Sequence, residues 1–175
     1  DLTPDDVLAA DQVLVGLNKT RHLYNARLRV LKGFKQPTPE VGEKLICLKN
    51  DREKRLLNGS IWHVIEAPAR SKRDRTDGFT RLSVLPEDAS PKTRTTDIRV
   101  KQQFWTGDEA RLAWEDKRGS DEFTFGYAIT CHKAQGSQWD RIVVFDEAST
   151  FREDAWRWRY TAITRAAQSL MLVVP

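Results

Sequence analysis

The sequence predicts an α/β domain interrupted by a small all-β insertion. Three observations carry this. Apolar runs at residues 12–16 and 142–145 read as strands buried within a parallel sheet, and residues 170–174 as a final strand. Helix-forming stretches follow the first run and precede the last. Between them, over residues 37–122, the texture changes to short strands broken by turn residues. A length of 175 residues, 39% of them hydrophobic and 31% charged, fits a folded chain with one sizeable core or two small ones.

The elements can be read in order. Residues 12–16 form the first strand. Asn18 is expected to cap a helix from residue 19 to 31, with Leu23, Ala26 and Val30 at helical spacing, and Gly33 and Pro37 end it. In the middle region, residues 45–48 and 61–65 read as strands, with Asn58-Gly59 as a hairpin signal. Residues 79–85 and 98–104 would complete a small barrel of SH3-like or OB type, and the polar stretches 70–75 and 89–96 read as exposed loops. From Phe123 onward the α/β texture returns. Phe123, Phe125, Tyr127 and Ile129 alternate on one strand, and a short helix at 131–135 stops at Gly136. Residues 142–145 form a strand, 152–167 a helix, and 170–174 the last strand. The α/β part is thus residues 1–36 and 123–175, and the insertion is 37–122.

Composition removes several functions. None of the nine glycines is followed by lysine, so a Walker A phosphate loop is absent, and no Gly-x-Gly fingerprint occurs. The three histidines and two cysteines lack paired zinc-ligand spacing, so no metal site is expected. No apolar stretch approaches the ~18–20 residues that span a bilayer. The acidic start Asp-Leu-Thr-Pro-Asp-Asp is the reverse of a signal peptide. With Cys47 and Cys131 far apart, a reduced, cytoplasmic setting is expected. The charge of +4 is spread along the chain, with one basic cluster at residues 70–81 that could guide nucleic-acid phosphates or could be a solvated loop. Core packing is the default for the six tryptophans, and stacking on a base is the alternative for one of them.

Three segments resemble the C-terminal half of superfamily 1 helicases, specifically the RecD/Dda-like branch. Residues 126–137, Gly-Tyr-Ala-Ile-Thr-Cys-His-Lys-Ala-Gln-Gly-Ser, resemble motif V. Residues 159–166, Arg-Tyr-Thr-Ala-Ile-Thr-Arg-Ala, resemble motif VI, and residues 13–21, Val-Leu-Val-Gly-Leu-Asn-Lys-Thr-Arg, are similar to motif IV. In the insertion, residues 42–51 followed by Leu57-Asn58-Gly59 resemble the SH3-like barrel which that branch inserts into its second RecA-like domain. The four stand in the family's order. The resemblance implies a RecA-like domain lacking the phosphate loop, part of an ATP-dependent helicase or translocase that moves 5′ to 3′ on single-stranded DNA. ATP and Mg²⁺ would be held mainly by an N-terminal RecA-like domain outside this chain, so the chain alone is expected to be inactive as an ATPase. Nuclease or recombination proteins are further partners the family implies, and a membrane is not.

The resemblance also assigns residues. Arg165 is the arginine finger for the γ-phosphate, and Arg21 is a second phosphate-directed arginine. The alternatives are a helix C-terminal arginine complementing the macrodipole for Arg165 and a surface arginine for Arg21. Gly136 and Gln138 lie where the family's chain meets the nucleotide, although Gln138 stands where many relatives carry an acid, which puts ribose contact in doubt. Thr130, His132, Lys133, Gln135 and Ser137 form the single-strand grip. Asp146-Glu147 after an apolar strand imitates a Walker B pair. Without a phosphate loop opposite, it reads as surface acids beyond a core strand. Two other readings stay open: a non-catalytic nucleic-acid-binding or adaptor module with this fold, and the helicase part of an exonuclease complex.

Overall fold

The structure, a computed structural model, describes residues 3–174. Asp1, Leu2 and Pro175, at the ends of the stretches 1–36 and 123–175, lie outside the described residues. In chain order the elements are α1 (Pro4–Ala9), β1 (Gln12–Val15), α2 (Asn18–Leu31), β2 (Lys44–Cys47) and β3 (Ile61–Glu66). There follow α3 (Lys72–Asp77), β4 (Phe79–Pro86), β5 (Thr96–Lys101), α4 (Gln103–Thr106), β6 (Phe123–Phe125) and β7 (Ala128–Thr130). The chain ends with β8 (Trp139–Phe145), α5 (Ala155–Ile163) and β9 (Ala166–Val173). Residues up to Lys35 and from Tyr127 onward make one compact unit, and Gln36–Gly126 make the other.

The first unit is built on a four-stranded parallel sheet in the order β7-β1-β8-β9. All four residues of β1 are buried, as a central strand with both faces covered requires. Helix α2 differs from the sequence reading at both its start and its face. Leu17, not Asn18, occupies the N-cap, and it makes no side-chain cap hydrogen bond. Leu23, Ala26 and Val30 are exposed, while Arg21, Asn25, Leu28 and Arg29 are buried. The inversion has a physical cause. This helix packs against β7, an edge strand whose open backbone groups need polar partners more than apolar cover.

Further along, residues 131–136 form hydrogen-bonded turns rather than a helix. The helix read over 152–167 is shorter: a 3₁₀ segment at Ala148–Asp154 precedes α5, and Arg152 there has φ 47°. Strand β9 begins at Ala166, directly after Arg165, and runs parallel to β8.

The second unit is a five-stranded antiparallel sheet in the order β5-β4-β3-β2-β6. It curls until its edges meet, because Val100 on β5 bridges Asp121 just before β6. The Asp121 amide donates to the Arg99 carbonyl at 2.8 Å and its carboxylate accepts from the Arg99 amide at 2.8 Å. Leu45, Ile46, Val64, Val84, Phe104 and Phe123 fill the interior.

Here too the sequence reading needs correction. The Asn58-Gly59 pair is not a two-residue hairpin turn; it closes the longer connection from β2 to β3, with the Gly59 amide donating to the Cys47 carbonyl at 2.8 Å. The supposed loop at 70–75 runs into α3 from Lys72 onward, and Phe104 lies on α4, not on a strand. The strand read through Phe123–Ile129 is two strands in two sheets. It divides at Gly126, where a Cβ would stand 2.8 Å from the Leu45 carbonyl carbon. Residues 123–126 therefore belong with the antiparallel sheet and not with the α/β part.

Candidate nucleotide- and DNA-facing site

The turn from Thr130 to Gly136 follows the C-terminal end of β7, beside that of β1, where open parallel sheets place their ligands. Thr130 ends β7 opposite Val15, and the Cys131 amide donates to the Val15 carbonyl at 2.9 Å. The chain then turns sharply, with the Lys133 amide on the Thr130 carbonyl at 2.9 Å and the Ser137 amide on the Ala134 carbonyl at 3.1 Å. Gly136 completes the turn at φ +84°, a left-handed conformation suited to glycine. Cys131 and Ala134 are buried and anchor it from below. His132 and Gln135 consequently point outward and are exposed, while Thr130, Lys133 and Ser137 are half-buried. Burial pushes the Cys131 thiol up to about 11, against the opposing effect of Arg165. The neutral thiol donates to the Trp158 carbonyl at 3.7 Å.

A pocket of about 220 Å³ opens beside this turn. Gly16, His132 and Gln135 line it together with Asp154, Arg157 and Thr161. Phe151 stacks on Trp158 at 5.7 Å between ring centroids, giving the pocket an aromatic wall.

Arg165 joins the two strongest motifs. Its Nε donates to the Thr161 carbonyl at 3.1 Å, Nη1 to the Ser137 carbonyl at 3.2 Å and Nη2 to the Thr164 hydroxyl at 3.1 Å. Gln138 lies alongside, its Nε2 donating to the Thr164 carbonyl at 3.4 Å. Ser137, Gln138 and Arg165 are therefore together, immediately after Gly136. Arg21 is not with them. It is buried on α2, with Nη2 2.9 Å from the His22 Nε2, and is not a surface arginine.

The Asp146-Glu147 pair is not a pair of surface acids. Asp146 is 5% exposed; its Oδ2 accepts from Arg159 Nε at 2.8 Å and Oδ1 from the Ala148 amide at 2.9 Å. Glu147 Oε2 accepts from the Gly16 and Leu17 amides at 2.6 and 3.0 Å, and Oε1 from the Thr20 hydroxyl at 2.5 Å. It thereby holds the entry to α2, taking the Leu17 N-cap amide and the hydroxyl of Thr20 in the first turn. The two acids thus tie the motif IV and motif VI segments to the end of β8. Sequence reasoning also missed Asn25, whose side chain pairs with both backbone groups of Ala128. The signal was present: an asparagine in mid-helix is a poor helix former and calls for a reason.

Comparison with known proteins bears on this geometry. Residues 125–173 match the UvrD-like helicase C-terminal domain. That span contains the turn, the pocket wall and both segments bridged by Arg165. A conjugal transfer protein TraA of Rhizobium radiobacter is 27% identical over 133 residues, 76% of this chain and 9% of TraA. The fold resembles that of Pif1 helicase from Bacteroides bound to single-stranded DNA, with a TM-score of 0.57 at 17% identity. It also resembles Pif1 helicase from Candida albicans, with a TM-score of 0.55 at 16% identity. These likenesses cover 98% of the chain but only 45% and 46% of the Pif1 chains, so the chain spans less than half of the helicases it resembles. Among the described residues, no helix is long and apolar enough to cross a membrane.

Proposed function

We propose that the chain is the C-terminal motor half of an ATP-dependent DNA helicase or translocase. It supplies the arginine finger and part of the grip on single-stranded DNA. The finer reading is the RecD/Dda-like branch: a second RecA-like domain, its curled sheet an SH3-like barrel insertion, moving 5′ to 3′ in a cytoplasmic protein. An N-terminal RecA-like domain would hold most of the ATP and Mg²⁺, and nuclease or recombination proteins are candidate partners.

The observation that carries this reading is the placement of Arg165. Its guanidinium sits where the 131–137 segment meets the end of α5, held by three hydrogen bonds. Guanidinium carries five N–H donors, so each terminal nitrogen keeps one for a phosphate. The group is permanently charged, matches phosphate oxygens in shape and is oriented in advance, as transition-state stabilisation requires. These features fit a γ-phosphate presented by another domain. Bound ATP supplies the phosphoryl group; this chain supplies the positioned cation, with Gln138 and Gly136 beside it. Thr130, His132 and Gln135 present a hydroxyl, an imidazole and an amide to the DNA strand, with Lys133 and Ser137 next to them.

The test is Arg165→Ala in the full-length polypeptide. DNA-stimulated ATP turnover should fall by about 10³-fold or more, the scale at which arginine fingers act, while nucleotide binding stays within about threefold. Normal turnover on DNA would refute the assignment. A full-length protein that binds DNA but never hydrolyses ATP would favour the adaptor reading instead.

A further inference from the structure

The pocket beside the 131–136 turn contains a cation that none of the recognised motifs supplies. Its lining carries one guanidinium, Arg157, and one carboxylate, the Asp154 that pairs with it, so Arg157 is the one permanent cation there. Lys133, the cation of the motif V segment, does not line it. Gln135 is neutral, and a histidine such as His132 carries charge only when protonated. A DNA phosphate seated there would therefore meet hydrogen-bond donors from the turn and its counter-charge from α5.

We infer that Arg157 is a phosphate-contacting residue for single-stranded DNA, acting in the pocket that it lines with His132 and Gln135. The inference rests on the strand-binding reading of the turn and names the cation that completes it. Arg157 sits on the first turn of α5, its side chain 70% exposed. Its Nη1 lies 3.3 Å from Asp154 Oδ1, in an i,i+3 pair that is open to water on both sides. Such an exposed pair is weakly held, so a phosphate can replace the carboxylate with little penalty. The guanidinium also lies 5.4 Å from the ring centroid of exposed Trp156, which limits its wandering. A forked donor held at a pocket rim suits phosphate oxygens better than an ammonium at the same place.

The experiment is a titration of a labelled oligothymidylate with this chain at several salt concentrations, followed by fluorescence anisotropy. Arg157→Ala should weaken binding about three- to tenfold and reduce the slope of log K against log salt by about 0.7, the loss of one phosphate contact on a single strand. Arg157→Lys should keep the slope. Asp154→Ala, which removes the competing carboxylate, should strengthen binding. Thermal melting of Arg157→Ala should match the wild type, because the side chain is exposed. If His132→Ala weakens binding while Arg157→Ala changes neither affinity nor slope, the inference is wrong and the turn's reading survives. Weaker binding with an unchanged slope also overturns it, since the lost contact is then not to a phosphate. If Thr130→Ala, His132→Ala and Arg157→Ala all bind as the wild type does, the strand-binding reading fails with it.

Discussion

Asn25 grips Ala128 by both of its backbone groups: Nδ2 donates to the Ala128 carbonyl at 2.8 Å, and Oδ1 accepts from the Ala128 amide at 3.0 Å. Strand β7 is at the edge of its sheet, and a primary amide offers a donor and an acceptor side by side, as a neighbouring strand would. A second bond from Nδ2 to the Arg21 carbonyl at 3.0 Å fixes the side chain to its own helix. Both Asn25 and Ala128 are buried, so no water stands ready to take its place.

Asn25→Ala should therefore leave two buried backbone groups unpaired and cost about 2–4 kcal/mol in urea denaturation. Asn25→Asp should not rescue it, because a carboxylate can accept from the amide but turns an oxygen toward the Ala128 carbonyl. Amide exchange at Ala128 should accelerate in both variants. A loss below about 0.5 kcal/mol in Asn25→Ala, within the range of ordinary surface changes, would show that the edge is satisfied some other way.

Gly16 and Glu147 form a coupled pair. A Cβ on Gly16 would stand 2.9 Å from the Glu147 Cβ and 3.0 Å from Phe151 Cε2, so Gly16→Ala should cost about 1–3 kcal/mol through overpacking. Glu147→Ala removes the acceptor for the Gly16 and Leu17 amides and the Thr20 hydroxyl, and should cost about 2–4 kcal/mol. The double variant should lose less than the sum by about 0.5–1 kcal/mol, because Glu147→Ala keeps its Cβ but removes the Oε2 that the new Cβ would meet at 3.2 Å. Strict additivity in the denaturation cycle would show that the clash is absorbed elsewhere.

These residues mark where the sequence was legible. Buried parallel strands announce themselves as apolar runs, so β1 and β8 could be read directly. The 126–137 and 159–166 segments carried the helicase resemblance because each is a continuous string of residue types, legible without knowing the fold. The partnerships were harder. Glu147 lies more than a hundred residues from Gly16 in sequence, and an acid after an apolar strand reads the same whether it faces water or holds the entry to a distant helix. The face of α2 was misread because Leu23 and Val30 look like a core stripe, while the edge of β7 required Asn25. The strand through residues 123–129 was misread because alternation continues across Gly126, although the hydrogen bonds change sheets there. Arg157 escaped notice because one exposed arginine among several has no local signature. Only the pocket that it lines singles it out.

In the antiparallel sheet a carboxylate controls acid stability. Lys44 and His63 are paired directly across β2 and β3, two basic side chains on neighbouring strands. Glu87 stands between them, with His63 Nε2 at 3.7 Å, an ion-pair distance rather than a hydrogen bond, and Lys44 Nζ at 3.3 Å. His63 first, and Lys44 with it, hold the Glu87 carboxyl down to about 2, against a burial effect that pushes the other way. A carboxyl lowered in the folded state adds stability that is fully present above its unfolded value of 4.5 and is lost as pH falls through about 2. Because the Glu87 side chain is 42% exposed, solvent screening limits the contribution to about 1 kcal/mol. Stability measured for the wild type and Glu87→Gln should therefore differ by that amount at about pH 5 and converge toward about pH 2. Curves that stay parallel over this range would show that Glu87 is not the group responsible. His63→Ala should remove most of the difference at every pH, and survival of the full difference in that variant would shift the role to Lys44.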